Sequence, residues 1–226
     1  MKEDQLFTLA PDTQDDAADP TRRPLADDAL KTLFTEARTH TAWLDLPVED
    51  SLLHQLYELM KWGPTSANCC PVRILFLRTR EAKERLRAAL APTNVEKTMK
   101  APVTAILAYD SKFYATLPRL FPAMPAMKEM FEKSSELAAS TAFRNGTLQG
   151  AYFILAARSL GLDCGPMSGF DNAKVDQEFF SAPADKGFIA AGVVKSNFLC
   201  NLGHGDGAKL HPRGPRLEFD EACQLL

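Results

Sequence analysis

Four short clusters carry the side chains that could do chemistry in this 226-residue chain. The first is Lys61-Trp62-Gly63-Pro64-Thr65-Ser66-Ala67-Asn68-Cys69-Cys70-Pro71, between an amphipathic stretch and an apolar one. It sets short polar groups and free backbone amides on rigid flanks, which suits a flat polar ligand. Taken alone, such Gly/Pro/Ser/Asn clusters most commonly serve as plain turns. The second cluster is Asn94-Val95-Glu96-Lys97, a carboxamide and an ammonium at i and i+3, on one face of a helical turn. The third, Cys164-Gly165-Pro166-Met167-Ser168-Gly169-Phe170, is a second turn of the same kind. The fourth is basic: Arg38-Thr39-His40 at a helix end, with Arg213 and Arg216 near the C-terminus. Arginines so grouped can hold a phosphate through charge-assisted hydrogen bonds, although the ordinary fate of such residues is a solvated surface.

Other patterns point away from particular chemistries. Cys69 beside Cys70 would need a neighbouring histidine to act as a nucleophile. His40 and His54 are the candidates, and small packing residues before a buried strand are the plainer explanation. Gly203-x-Gly205-x-Gly207 lacks the third spacing of a dinucleotide loop and runs into Pro212, Gly214 and Pro215 instead of a helix. Five cysteines without a C-x-x-C spacing argue against a disulfide framework and point to a reducing cytoplasm. Four histidines, none paired at helical spacing, do not support a metal site. A formal charge of -3 gives no whole-chain reason to bind nucleic acid. No apolar run reaches the roughly 18 to 20 residues of a membrane span, and the acidic N-terminus has no apolar signal core.

The elements that must position these clusters follow from periodicity. Residues 1–24 are polar and acidic and are read as a loosely held tail, with one domain over 25–226. An Asp cap at Asp27-Asp28 precedes Ala29, Leu30, Leu33, Phe34 and Ala37, spaced as the buried face of a helix. A second helix opens at Asp50-Ser51 with Leu52, Leu53, Leu56, Tyr57, Leu59 and Met60 as its buried stripe. Strands are expected at Val72 to Leu77, Pro102 to Tyr109 and Lys195 to Leu202, the middle one central because it is nearly continuously apolar. Short helices are expected over Glu81 to Leu90, from a Thr93 or Asn94 cap to Met99, and from an Asp171 or Asn172 cap to Phe180. Residues 181–192 read as a loop. Prolines 118, 122 and 125 forbid one long helix over Phe113 to Met130, which reads as a lid or a partner-facing surface. Ser134 to Leu160 is the longest helix, about 40 Å at 1.5 Å per residue. It is apolar nearly all round after Gln149, as a core and a subunit interface together would require. Helices outnumber strands without regular alternation, which favours an α+β fold.

The ordered set of clusters resembles the nitroreductase superfamily of FMN-dependent oxidoreductases over roughly residues 27–220. Arg38-Thr39-His40 stands where that family has an Arg-Arg-Ser type start. Pro64 to Pro71 resembles Pro-Ser-Ser-x-Asn-x-Gln-Pro. Asn94-x-x-Lys97, the long helix, Gly165 to Phe170 and the C-terminal basic pair follow in order. The wording around Phe143-Arg144-Asn145-Gly146 and Gly165 to Ala173 is similar to the subgroup that contains the malonic semialdehyde reductases of pyrimidine breakdown. Two departures stand out: Cys70 replaces the usual Gln, and Ser168 stands where many members carry Glu.

The resemblance implies a central, mostly antiparallel sheet flanked by helices, in an intertwined homodimer with FMN at the interface. Arg38, Thr39, His40 and one or both of Arg213 and Arg216 would hold the phosphate and ribityl chain. Asn94 and Lys97 would meet the pyrimidine edge, with Pro166, Met167, Ser168 and Gly169 along the ring. Pro64, Thr65, Ser66 and Asn68 would come from the partner. NAD(P)H would be the cosubstrate and malonic semialdehyde, reduced to 3-hydroxypropionate, the leading substrate. Quinones or nitroaromatics are alternatives, as is a flavin-binding module without turnover. Water, a ribityl hydroxyl or His40 would supply the proton a carbonyl needs. A lysine about 4 Å from reduced flavin would favour its negative charge by about 4 kcal/mol at an effective dielectric near 20.

Overall fold

The computed structural model describes residues 23–181 and 193–226. Most of the expected tail (1–22) and most of the expected loop (182–192) lie outside those residues. The chain begins with α1 (Asp27–Leu30), continued by a π-helical turn over Lys31–Thr35. Next come α2 (Asp50–Met60), a 3-10 turn at Ser66–Asn68, β1 (Val72–Leu77), α3 (Arg80–Arg87), α4 (Pro92–Lys100) and β2 (Val103–Asp110). A 3-10 turn at Phe113–Thr116 leads to α5 (Leu117–Leu120), α6 (Ala126–Lys133) and α7 (Ser135–Ser159). The chain closes with β3 (Asp163–Met167), α8 (Asn172–Phe180), β4 (Val194–Gly203), a 3-10 turn at Gly207–Lys209 and α9 (Phe219–Ala222).

The four strands form one antiparallel sheet in the order β1-β2-β4-β3, within an α+β fold. Strand alternation sends the two faces of β2 into different cores. Val103, Ala105 and Leu107 meet Leu53, Leu56 and Met60 of α2 and Phe153, Ala156 and Ala157 of α7. Ile106 and Ala108 meet Leu86, Ala89, Val175 and Phe180, contributed by α3, the residues after it and α8. The sheet is thus sandwiched between helices, and β2 is as buried as its composition requires. Its buried Thr104 is satisfied by Asn201 on β4, whose amide reaches Thr98 of α4.

Several expectations are corrected. No Asp side chain caps α1; Ala26 holds that position, and Asp27 and Asp28 fall in the first turn, where their charge suits the helix dipole. The apolar stripe expected on this helix is only half-buried at Ala29, Leu30, Leu33 and Ala37, and Phe34 is 53% exposed, because within the chain the wide π turn has little laid over it. Tyr57 and Leu59 of α2 are exposed, since only the Leu53/Leu56/Met60 row meets α7. α4 starts earlier than expected, with Pro92 at its first position, where a missing N–H costs nothing. The stretch read as a second turn is strand β3 up to Met167; it is an edge strand, so Pro166 is tolerated. The proline-rich excursion holds three short helical pieces, anchored by Phe113, Leu117 and Phe131 against Ala138 and Ala142 of α7. Within one chain α7 is not covered all round: Leu148 is 42% exposed, and Leu137 and Ala151 share that open side.

The α7-to-sheet contact should dominate stability. Phe153 is fully buried and stacks on Phe76 of β1, with ring centroids 6.2 Å apart. Replacing Phe153 by Ala should cost about 3–5 kcal/mol, read as a lower denaturant midpoint with an unchanged slope.

Candidate functional site

The segment Arg38–Trp43 lies along the free edge of β3. Thr39 bridges Cys164 in parallel fashion, and the His40 amide donates to the Cys164 carbonyl at 3.0 Å. The His40 ring is only 7% exposed; its Nε2 faces Asp163 at 3.3 Å, and Asp163 also accepts from the Gly205 amide at 2.8 Å. A Cβ at Gly205 would fall 1.9 Å from His40 Nδ1, so only glycine lets the ring settle there. That Nδ1 is buried without a hydrogen-bond partner among the described residues. Trp43 completes the clamp by donating its indole N–H to the Lys97 carbonyl at 3.2 Å.

This clamp joins two of the predicted groups. Arg38, Thr39, Arg213 and Arg216 line one cavity of about 570 Å³ with Arg158, Thr41 and His211. Arg38 donates to the His211 carbonyl, and Arg213 returns a bond to the Ala37 carbonyl at 3.2 Å. No carboxylate lines this cavity among the described residues, and none of its four arginines forms an ion pair there. Four guanidiniums facing one space repel one another unless an anion sits between them. Their planar forks match a phosphate.

The second group gathers at the end of β3. Asn94 Nδ2 donates to the Gly169 carbonyl at 2.7 Å, and the Ala91 amide donates to the same oxygen at 3.0 Å. A Cβ on Gly169 would fall 2.6 Å from that carboxamide nitrogen, so glycine is needed for the approach. Leu90 and Phe170 form an isolated bridge beside it. Lys97 lies one turn on; burial pushes its ammonium below the ordinary lysine range. At the far end of α4, the buried Lys83 ammonium donates to the Met99 and Ala101 carbonyls, which fixes the helix. The Met167 side chain points into the core instead, where its sulfur accepts from Thr98 at 3.6 Å, because alternation along β3 turns it away from Pro166 and Ser168.

His40 lines neither cavity, so its position is that of an anchor for Arg38 and Thr39. The Pro64–Asn68 turn is also apart. It precedes β1, at one edge of the sheet, while Gly169 follows β3 at the other, three strand spacings or about 14 Å away at the same end. Asn145 of α7 accepts from the Ser66 amide at 2.8 Å, and Asn68 donates to the Leu120 carbonyl at 2.9 Å. Ala67, Asn68 and Cys70 all hold positive φ, at 50°, 48° and 39°. The Cys70 thiol donates to the Asn68 carboxamide oxygen at 3.3 Å although His54 lines the same groove, and burial pushes the Cys69 thiol up to about 11. Neither cysteine is set up as a nucleophile.

The sequence assigns no role to Arg158, Trp43 or Asp163, and Asn145 enters only as part of the Phe143–Gly146 wording. An arginine in an otherwise apolar helix end was the available signal for Arg158. Trp43 and Asp163 announce themselves only through tertiary contacts. As a donor set, the arginine cavity and the amide/ammonium pair beside a flat glycine turn fit a phosphorylated planar heterocycle such as FMN.

The comparisons agree. The Nitroreductase family model matches residues 35–194. A protein of Cupriavidus pinatubonensis named as an NADH dehydrogenase/NAD(P)H nitroreductase is 56% identical over 198 residues, covering 87% of this chain and 96% of the relative. HadB of Ralstonia pickettii, similarly named, is 55% identical over 199 residues, covering 87% of this chain and 97% of the relative. A nitroreductase structure from Exiguobacterium sibiricum in complex with FMN shares the fold, with a TM-score of 0.76 at 16% identity, covering 90% and 99% of the two chains. YdfN of Bacillus subtilis does likewise, with a TM-score of 0.74 at 18% identity, covering 88% and 99%. The chain therefore belongs to the nitroreductase family, oxidoreductases that work with FMN and NAD(P)H.

Proposed function

We propose that residues 25–226 form one FMN-binding domain that passes hydride from NAD(P)H to a small electrophile. Malonic semialdehyde, giving 3-hydroxypropionate, is the leading substrate. The observation that carries the flavin reading is the carboxylate-free arginine cavity, clamped through His40 and Trp43 to the helix that bears Asn94 and Lys97. FMN when bound would accept and donate the hydride. Arg38, Arg213 and Arg216 would hold its phosphate and Thr39 the adjoining ribityl chain. Asn94 and Lys97 would face its polar edge, with Pro166, Ser168 and Gly169 along the ring. His40 would orient the arginine segment, which leaves water or a ribityl hydroxyl to supply the proton. The similarity of the Gly165–Ala173 wording to the aldehyde-reducing subgroup supports the aldehyde substrate. The names of the two relatives favour a second reading, broad nitroreductase or quinone reductase activity.

A homodimer is part of this proposal. Pro64, Thr65, Ser66 and Asn68 are held apart from Asn94 and Gly169 within one chain and would serve the flavin of the partner subunit. The open side of α7 at Leu137, Leu148 and Ala151 supports such an interface. So does an open groove of about 720 Å³ along the unpaired edge of β1, with Leu53, Tyr57, Ile74, Phe76 and Leu120 among its lining. No helix among the described residues is long and apolar enough to cross a membrane. The free cysteines suit a reducing cytoplasm.

Steady-state assays with malonic semialdehyde, a quinone and a nitroaromatic, each with NADH and NADPH, test the substrate. The aldehyde should give the highest kcat/KM; turnover of the other two alone would replace it with the broad reading. Flavin that NAD(P)H cannot bleach in stopped flow would leave only a binding module. Lys97→Met should lower the flavin midpoint potential by roughly 30 mV or more, about 1.4 kcal/mol for a two-electron couple, while FMN affinity changes less. Lys97 is charged below its pKa, so wild-type flavin reduction should slow as pH climbs through the alkaline range, whereas the methionine variant should lack that step. Leu148→Glu should give monomers in sedimentation velocity runs and at least tenfold weaker FMN retention. Tight FMN binding by the monomer would refute the shared site.

A further inference from the structure

Arg158 sits in the last turn of α7, far in sequence from every basic residue that the family resemblance singles out. It lines the same cavity as Arg38, Arg213 and Arg216. Nη1 donates to the Leu33 carbonyl at 2.9 Å, and Nε is buried without a partner. A cation in the last turn of a helix is favourable by itself, and the bond to Leu33 ties α7 to the π turn after α1. That structural role leaves two things unexplained. The arginine has no carboxylate partner among the described residues, and it shares one cavity with three others.

The anchoring pattern resolves this. Three of the guanidiniums are each held by one main-chain carbonyl: Arg38 by His211, Arg213 by Ala37 and Arg158 by Leu33. Two of these carbonyls belong to the Leu33–Ala37 stretch, so the arginines of a long helix, a helix end and a C-terminal segment are drawn around one short piece of backbone. A guanidinium has five N–H donors in a fixed fork, and one carbonyl leaves most of them free to turn towards the cavity. We infer that Arg158 is a further ligand of the phosphate monoester in this pocket and sets the preference for phosphorylated flavin over riboflavin. The inference rests on the flavin-binding reading, and it concerns a residue outside that reading's own set.

Equilibrium dialysis of the full chain against FMN and, separately, riboflavin tests it without turnover. Arg158→Met should raise the Kd for FMN roughly 10- to 100-fold, the range for losing one charge-assisted hydrogen bond, and leave the Kd for riboflavin within about twofold, the scatter of a distant surface change. The riboflavin value also reports that the site is intact. If the methionine variant does not fold, Arg158→Lys carries the same comparison, because it keeps the stem and the charge but loses the fork. A severalfold loss confined to FMN supports the role. Equal loss of both flavins, or no change in either, overturns it and returns Arg158 to tying α7 to the π turn. A wild-type chain that holds neither flavin would instead sink the flavin reading itself.

Discussion

The site depends on one contact: the Arg38–Trp43 segment laid on the outer edge of β3. An edge strand exposes unpaired amides and carbonyls, and here the Cys164 carbonyl takes the His40 amide. The His40 ring then fixes the segment against Asp163 and Gly205, and Trp43 fixes its far end to α4. This clasp ties the segment that carries Arg38 to the helix that carries Asn94 and Lys97. A buried imidazole with one unpartnered nitrogen is a costly anchor, worthwhile only where position matters more than stability.

Much of the fold was legible, for identifiable reasons. β1 and β2 announced themselves by dense apolar runs, and α7 by its length, its Ser134 cap and the glycine after it. β3 reads as a turn in the sequence because Gly165 and Pro166 weaken its strand signal, and only an edge position makes them tolerable. The buried faces expected at Phe34, Tyr57 and Leu59 failed because periodicity marks an apolar face but cannot say what covers it. In the candidate site, residue types and order single out Arg38, Asn94 and Gly169, and the fold places Arg38 in the arginine cavity and Asn94 against the Gly169 carbonyl. Residues that act by tertiary contact, such as Trp43 meeting a carbonyl 54 positions away, leave no local signature.

Charge organisation separates the two sides of the molecule. The arginine cavity has cations without counterions, which is how a protein holds an anion it does not itself contain. Several arginines elsewhere are paired: Arg73 with Asp110 at 2.7 Å between β1 and β2, and Arg85 with Glu178 at 2.6 Å between α3 and α8. Those pairs staple neighbouring elements, whereas the four arginines of the cavity share it with no carboxylate among the described residues. The contrast within one chain is a stronger sign of purpose than the net charge, which is near zero for a protein of this size.

The turn before β1 has a consequence for how this protein can change. Ala67, Asn68 and Cys70 occupy left-handed backbone that favours glycine, and the strain of such residues is of order 1–3 kcal/mol each. Directed evolution for heat tolerance would find glycine at these positions among its easiest gains. Each gain would also soften the turn that leads into β1 and is tied to α7 through Asn145. The cheapest routes to a hardier protein therefore loosen a stretch whose shape is held against its own backbone preference.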